Sequence, residues 1–137
     1  MKVVINTCHG GFDLSYAAVM RYAELKGLKL YVFKRTDSGY CEWIKSKNNT
    51  ARLSDIPNYS LKPLNSRGSI DNSSYFSVHT MERSDPILVR VVEELRKKAN
   101  GFDAELKVVE IPDDVKGYDI ESWDGIESIH EEHRVWA

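Results

Sequence analysis

Residues 84–111 read SDPILVRVVEELRKKANGFDAELKVVEI. Ser84-Asp85-Pro86 predicts a helix start, with Asp85 as N-cap and Pro86 at the first helical position, where no hydrogen-bond donor is lost. Ile87, Leu88, Val91, Val92, Leu95 and Ala99 recur at helical spacing and form one apolar face. Arg90 with Glu94, Glu93 with Lys97 and Glu94 with Lys98 stand at i, i+4 on the other face. Asn100-Gly101 closes the helix just after Ala99. Leu106 to Ile111 then read as a strand, stopped by Pro112.

The same grammar appears at the other end of the chain. Lys2 to Asn6 are rich in β-branched residues and predict a buried strand, bounded by Thr7-Cys8-His9-Gly10-Gly11. A helix follows, capped by Asp13 or Ser15, with an apolar stripe of Leu14, Ala18, Tyr22 and Leu25 and Gly27 at its end. Leu28 to Phe33 and Tyr75 to Thr80 alternate and predict two further strands. Residues 35–74 are rich in Asn, Ser, Pro and Gly, and so long an irregular stretch points to an insertion. Trp43, Ile44, Leu53, Ile56 and Leu61 would anchor it, and short strands are expected inside it. Asp124-Gly125 predicts a two-residue hairpin turn. Ile129 to Trp136 fit either a strand end or one helical turn. The expected fold is therefore a single α/β domain over residues 1–137. It would hold a mixed β-sheet, two packed helices and a long central insertion at 35–74.

The chain has 137 residues, enough for one domain with its own core. Hydrophobic residues at 42% and charged residues at 29% describe a globular chain, not a disordered one. A formal net charge of −2 excludes a strong chain-wide pull toward extended nucleic acid or an anionic membrane, while allowing a local basic pocket. No apolar run approaches the ~20 residues of a membrane span, and the first one stops at Asn6, short of a signal peptide. The two cysteines, Cys8 and Cys41, show no CxxC spacing, as expected of free thiols in a cytosolic protein.

Four groups could carry chemistry. The first is Asn6-Thr7-Cys8-His9-Gly10-Gly11-Phe12, where a strand gives way to a helix. Ligands of open α/β sheets bind at such carboxyl ends. Gly10 and Gly11 would let backbone donors approach an anion, with the helix N-terminus behind them, and Asn6 and Thr7 would add hydrogen bonds. A tight turn needing positive φ explains the same glycines without any ligand. Cys8 beside His9 is poorly placed for catalysis, because neighbours on a strand point to opposite faces. The second group is His130-Glu131-Glu132-His133. On a helix, His130 and His133 would share a face and could bind metal, with His9 or His79 completing a site, but the spacing is not the zincin one. The third group is the run of carboxylates from Glu110 to Glu132, which reads more simply as a solvated edge. The fourth is Lys34, Arg35, Lys45, Lys47, Arg52, Lys62 and Arg67, interleaved with Tyr40, Trp43 and Tyr59. Arginine with aromatics can stack a base and neutralise a phosphate.

Asn6-Thr7-Cys8-His9-Gly10-Gly11-Phe12-Asp13-Leu14-Ser15 resembles the Asn-Thr-Cys-x-Gly-Gly-Phe-x-Leu-Ser opening of a family of small phage and prophage proteins. Asp85-Pro86, Val91 to Leu95, Leu106 to Val115, Asp124 to Glu127, and His133-Arg134 with Trp136 are similar to later blocks of that family. The resemblance spans the first 25 residues and residues 80–137, and leaves the insertion outside. His9 and Asp13 stand where other members often carry Tyr and Gly. The resemblance implies a phage setting, hence the cytoplasm of a bacterial host, and it implies no particular activity.

Small accessory phage proteins often counter host defences, some by sequestering nucleotide signals, and that setting shapes the functional expectation. It is a non-enzymatic phage protein that binds a small nucleotide-derived ligand such as a cyclic nucleotide immune signal. Asn6, Thr7, Gly10, Gly11, Phe12, Arg35, Arg52 and Arg67 are the expected ligand-binding residues. No catalytic residue, metal or cofactor is expected, no extended nucleic acid or membrane is an expected partner, and a homo-oligomer is allowed. The alternatives are a metal-dependent phosphoesterase built on His130, His133 and nearby acids, and an inhibitor that binds a host protein through the insertion.

Overall fold

The computed structural model describes residues 1–36, 39–42, 57–66, 68–131 and 134–137. In chain order its regular elements are β1 (Lys2–Asn6), α1 (Tyr16–Lys26), β2 (Tyr31–Thr36), β3 (Gly39–Glu42), β4 (Asn58–Ser60), β5 (Tyr75–Phe76), α2 (Pro86–Leu95), β6 (Leu106–Glu110), β7 (Asp119–Trp123), β8 (Ile126–Glu131) and β9 (Arg134–Trp136). The α/β class expected from the sequence is what the chain adopts. The chain divides into two compact units, one of Met1–Lys26 with Val78–Ala137 and one of Gly27–Ser77. The insertion thus shares a unit with the strand that leads into it. Among the described residues, no helix is long and apolar enough to cross a membrane.

In the first unit, β1 pairs antiparallel with β6, placing Val3 opposite Val109 and Ile5 opposite Lys107. β1 is buried on both faces, which is why it reads as an unbroken apolar run. Val3 and Ile5 pack with Val109, Ile111 and Ile129, the last from β8 of a three-stranded β7-β8-β9 sheet. Val4 points the other way, toward the side on which α2 packs. α2 starts as its sequence predicts: Asp85 Oδ1 accepts from the Ile87 amide at 2.8 Å, with Pro86 following. Its Leu88, Val91 and Val92 are buried, and each such side chain contributes about 2 kcal/mol by leaving water. The α-helix stops at Leu95, not near Ala99. Arg96 takes φ 54°, and Arg96–Ala99 continue as a 3-10 turn.

In the second unit, the sheet order is β3-β2-β4-β5, all antiparallel. Here the sheet expectation needs correction. Every strand pairing among the described residues is antiparallel, in three separate sheets, where one mixed sheet was expected. β2 does not pair with β1, so β1-α1-β2 is not a parallel crossover unit. Only Tyr75–Phe76 of the expected third strand is extended, and Val78–Thr80 form a 3-10 turn. The short strands expected inside the insertion are present as β3 and β4. Its expected anchors Trp43, Ile44, Leu53 and Ile56 lie outside the described residues, and Leu61 is exposed. Of the C-terminal segment, open between strand and helix, Ile129 to Glu131 end β8 and Arg134–Trp136 form β9.

Candidate functional site

The loop after β1 is held from three directions by Asn6, a fully buried polar residue. Its Nδ2 donates to the carbonyl of Cys8 at 2.6 Å and to that of Gly125 at 2.7 Å. Its Oδ1 accepts from the Glu105 amide at 2.9 Å. Its own backbone amide donates to Glu127 Oε1 at 2.8 Å. One amide side chain thus ties together the loop, the turn before β6 and the β7-β8 hairpin tip. Both side-chain donors are used inside the fold.

Glu127 is buried as well, and Arg83 answers its charge with a two-pronged pair at 2.7 and 2.9 Å. The Arg83 guanidinium also lies 3.5 Å from the centre of the Phe12 ring. Phe12 is therefore a buried platform under Arg83. This network joins β1, the approach to α2 and β8.

The two glycines serve different needs. A Cβ on Gly10 would collide with the backbone carbonyl of Asp103, so that position requires the absence of a side chain. Gly11 has φ 88° with open space where a Cβ would stand, so it requires positive φ instead. The helix N-terminus expected behind them is not there. α1 begins at Tyr16, and Ser15 caps it by accepting from the Ala18 amide at 3.1 Å. The Ser15 hydroxyl in turn donates to the Lys98 carbonyl at 2.5 Å. Among the described residues β1 pairs with an antiparallel neighbour only, so the crevice of a parallel sheet does not arise there either. Thr7 spends its amide and hydroxyl on the Glu105 carbonyl, at 2.8 and 3.0 Å. The needs of the fold account for Asn6, Gly10, Gly11 and Phe12.

Cys8 and His9 do not pair. The thiol donates to the Asp103 carbonyl at 2.6 Å, while His9 Nδ1 stands 3.2 Å from Asp124 Oδ2. His9 also meets the exposed Trp123 ring edge-on, with centroids 6.3 Å apart. Asp13 is partly buried, and that burial raises its carboxyl pKa against the lowering effect of the Leu14 amide.

His130 lies on a strand, β8, not on a helix, and His133 lies outside the described residues. Ser128 Oγ is 2.6 Å from His130 Nε2, and Glu121 Oε2 is 3.5 Å from the same nitrogen. A serine relay needs the acid on the other ring nitrogen, so this trio is not one. Among the described residues, no group of three or more His, Cys, Asp or Glu could hold a metal ion.

The basic and aromatic residues are arranged differently. Arg35 on β2 is exposed and directly opposite Tyr40 on β3, so both project from one face. Tyr31 shares that face by alternation, with Lys29 Nζ 5.1 Å from its ring centre. Tyr31 is opposite Ser60, and Ser60 is opposite Tyr75, which is 48% exposed. Phe33, between Tyr31 and Arg35, is buried, so the accessible groups flank it. The unit Gly27–Ser77 carries eight basic and four acidic side chains, net +4, and the other unit eleven and seventeen, net −6. Arg52 and Arg67 lie outside the described residues.

Sequence reasoning missed the Arg83–Glu127–Asn6 network. Its one sequence signal is Glu127, a charge on the same side of an alternating strand as Ile129. It also missed the His9–Trp123–Asp124 corner, which exists only because the hairpin tip packs against the loop. Comparison with family models, curated proteins and solved structures finds no match to this chain.

Proposed function

We propose that this chain is a non-catalytic phage accessory protein that binds and sequesters a nucleotide-derived ligand, such as a cyclic nucleotide signal, in the cytoplasm of a bacterial host. The observation that carries the reading is the sheet face of the Gly27–Ser77 unit. There Arg35 stands against Tyr40, and Tyr31, with Lys29 on its ring, lies in line with exposed Tyr75. A nucleotide presents one planar aromatic ring and at least one phosphate. An arginine fork suits the phosphate and a tyrosine ring suits the base. The net +4 of this unit adds attraction for an anion, although the whole chain is acidic.

The test uses the whole protein. It is incubated with cyclic di- and trinucleotides, freed of unbound ligand and denatured, and the released nucleotide is analysed. Release of intact nucleotide, with binding weakened about tenfold by Arg35→Ala, supports the proposal. Release of a cleaved product would replace it with a phosphoesterase. Absence of binding to every nucleotide tested would replace it with a protein-directed inhibitor.

A further inference from the structure

A second surface, in the other unit, has a different chemistry. Among the described residues, β7 is an edge strand of the β7-β8-β9 sheet. Its closing turn has two residues, Asp124 at φ 51° and Gly125 at φ 87°, which makes Trp123 and Ile126 the hydrogen-bonded pair at the hairpin end. By the alternation of an antiparallel ladder, the backbone groups of Ile120 and Ser122 then point to the open edge.

Ile120, Ile129 and Trp136 face the core. The opposite face therefore presents Asp119, Glu121 and Trp123 from β7 at a spacing of two. All three are exposed, Trp123 to 75%. Asp124, at the tip, is exposed beside them and contacts His9, whose ring stands at 62° to the Trp123 ring with centroids 6.3 Å apart. Carboxylates and an exposed indole ring share one preference: both attract cations, and a guanidinium can meet both at once.

We propose that the open edge of β7 is a strand-addition site for an extended, cationic segment of a partner protein, with Arg or Lys at alternating positions. Backbone bonds to Ile120 and Ser122 would set the register. The partner's alternating cations would then fall beside Asp119, Glu121 and the Trp123 ring. This surface is independent of the nucleotide reading and stands or falls without it.

Calorimetric titration of the full chain with acetyl-Arg-Val-Arg-Val-Arg-Gly-amide tests the site. Two controls accompany it, a peptide of the same composition with its three arginines contiguous and one with methylated backbone nitrogens. The alternating peptide should bind at low salt and each control at least about fivefold more weakly. Trp123→Ala should weaken binding about two- to fivefold while the circular dichroism stays unchanged. Asp119→Asn with Glu121→Gln should weaken it further than Glu105→Gln with Glu110→Gln, which removes the same charge elsewhere. Equal binding of the three peptides, or equal effects of the two double variants, would reduce the site to diffuse attraction and overturn the proposal. So would no binding at millimolar peptide. Sedimentation showing self-association that Trp123→Ala abolishes would also overturn it, by assigning the edge to a second copy.

Discussion

The two compact units solve opposite problems. Met1–Lys26 with Val78–Ala137 carries net −6 and buries Asn6 and Glu127, which bond to each other and, through Glu127, to Arg83. Gly27–Ser77 carries net +4 and sets Arg35, Tyr31 and Tyr75 on one face of its sheet. A buried polar group with all its bonds made specifies a fold and has little left to offer a ligand. An arginine exposed beside an aromatic ring does little for stability and is available for binding. The loop around the glycine turn, the more conspicuous motif, is tied into the fold by Asn6, whereas Arg35 on the insertion flank is exposed.

The largest expected effect breaks the first category. Arg83→Ala leaves Glu127 buried without its counter-charge and uncovers Phe12, and should cost about 3–5 kcal/mol in chemical denaturation. Replacing the pair, with Arg83→Met and Glu127→Leu, should recover part of that loss. A loss under about 1 kcal/mol for Arg83→Ala would mean that water reaches Glu127 and that the network does not organise the unit.

Gly11 sharpens the comparison. With φ 88° and room for a Cβ, Gly11→Ala should lower stability by about 1–2 kcal/mol through backbone strain alone. Nucleotide affinity of the folded protein should stay unchanged. Thermal melting and titration on one sample separate the two, and a normal melt with weakened binding would return the glycine turn to the ligand site. The converse variant is Arg35→Ala. It should lower nucleotide affinity about tenfold, or ~1.4 kcal/mol, and shift stability by no more than about 0.5 kcal/mol.

The smallest effect is on the acid limb of stability. Burial opposes ionisation of Asp85, but hydrogen bonds from Lys26, Tyr22 and the Ile87 amide outweigh it and lower its pKa in the folded protein from 3.8. A lowered carboxyl contributes stability that is fully present above the unfolded value. That contribution is lost as the pH falls below 3.8 toward the folded value. Asp13, raised by burial, works in the opposite sense and gains stability as the pH falls toward 3.8. Asp85→Asn should therefore flatten the decline of stability below about pH 4, whereas Asp13→Asn should change the slope above about pH 4, removing the gain that Asp13 gives as the pH falls toward 3.8. An unchanged acid limb in the Asp85 variant would show that its bonds break before it protonates.

Much of the local structure was legible. Asp85-Pro86 starts α2, Asp124-Gly125 makes the hairpin, and the apolar runs give the strands Lys2–Asn6 and Leu106–Glu110, because caps, turns and strand burial depend on near neighbours. The strand partners were not legible. β1 finds β6 a hundred residues later and β2 finds β3 and β4, and an apolar run does not encode which run it will meet. Asn6, Gly10, Gly11 and Phe12 read from the sequence as ligand-binding candidates, and a positive φ, a close approach and a buried amide read the same in sequence whether a ligand or the fold requires them.

By itself the sequence determined the α/β class, the start of α2, the Asp124-Gly125 turn, and the basic, aromatic character of the insertion flank, all of which follow from composition and short-range spacing. Only the tertiary structure decided that the sheets are antiparallel and separate. It alone decided that Asn6 spends its donors on Cys8 and Gly125, and that Glu127 and Arg83 meet across 44 residues. The physical reason is that a hydrogen bond or an ion pair is satisfied by whatever group the fold brings within about 3 Å, at any distance along the chain.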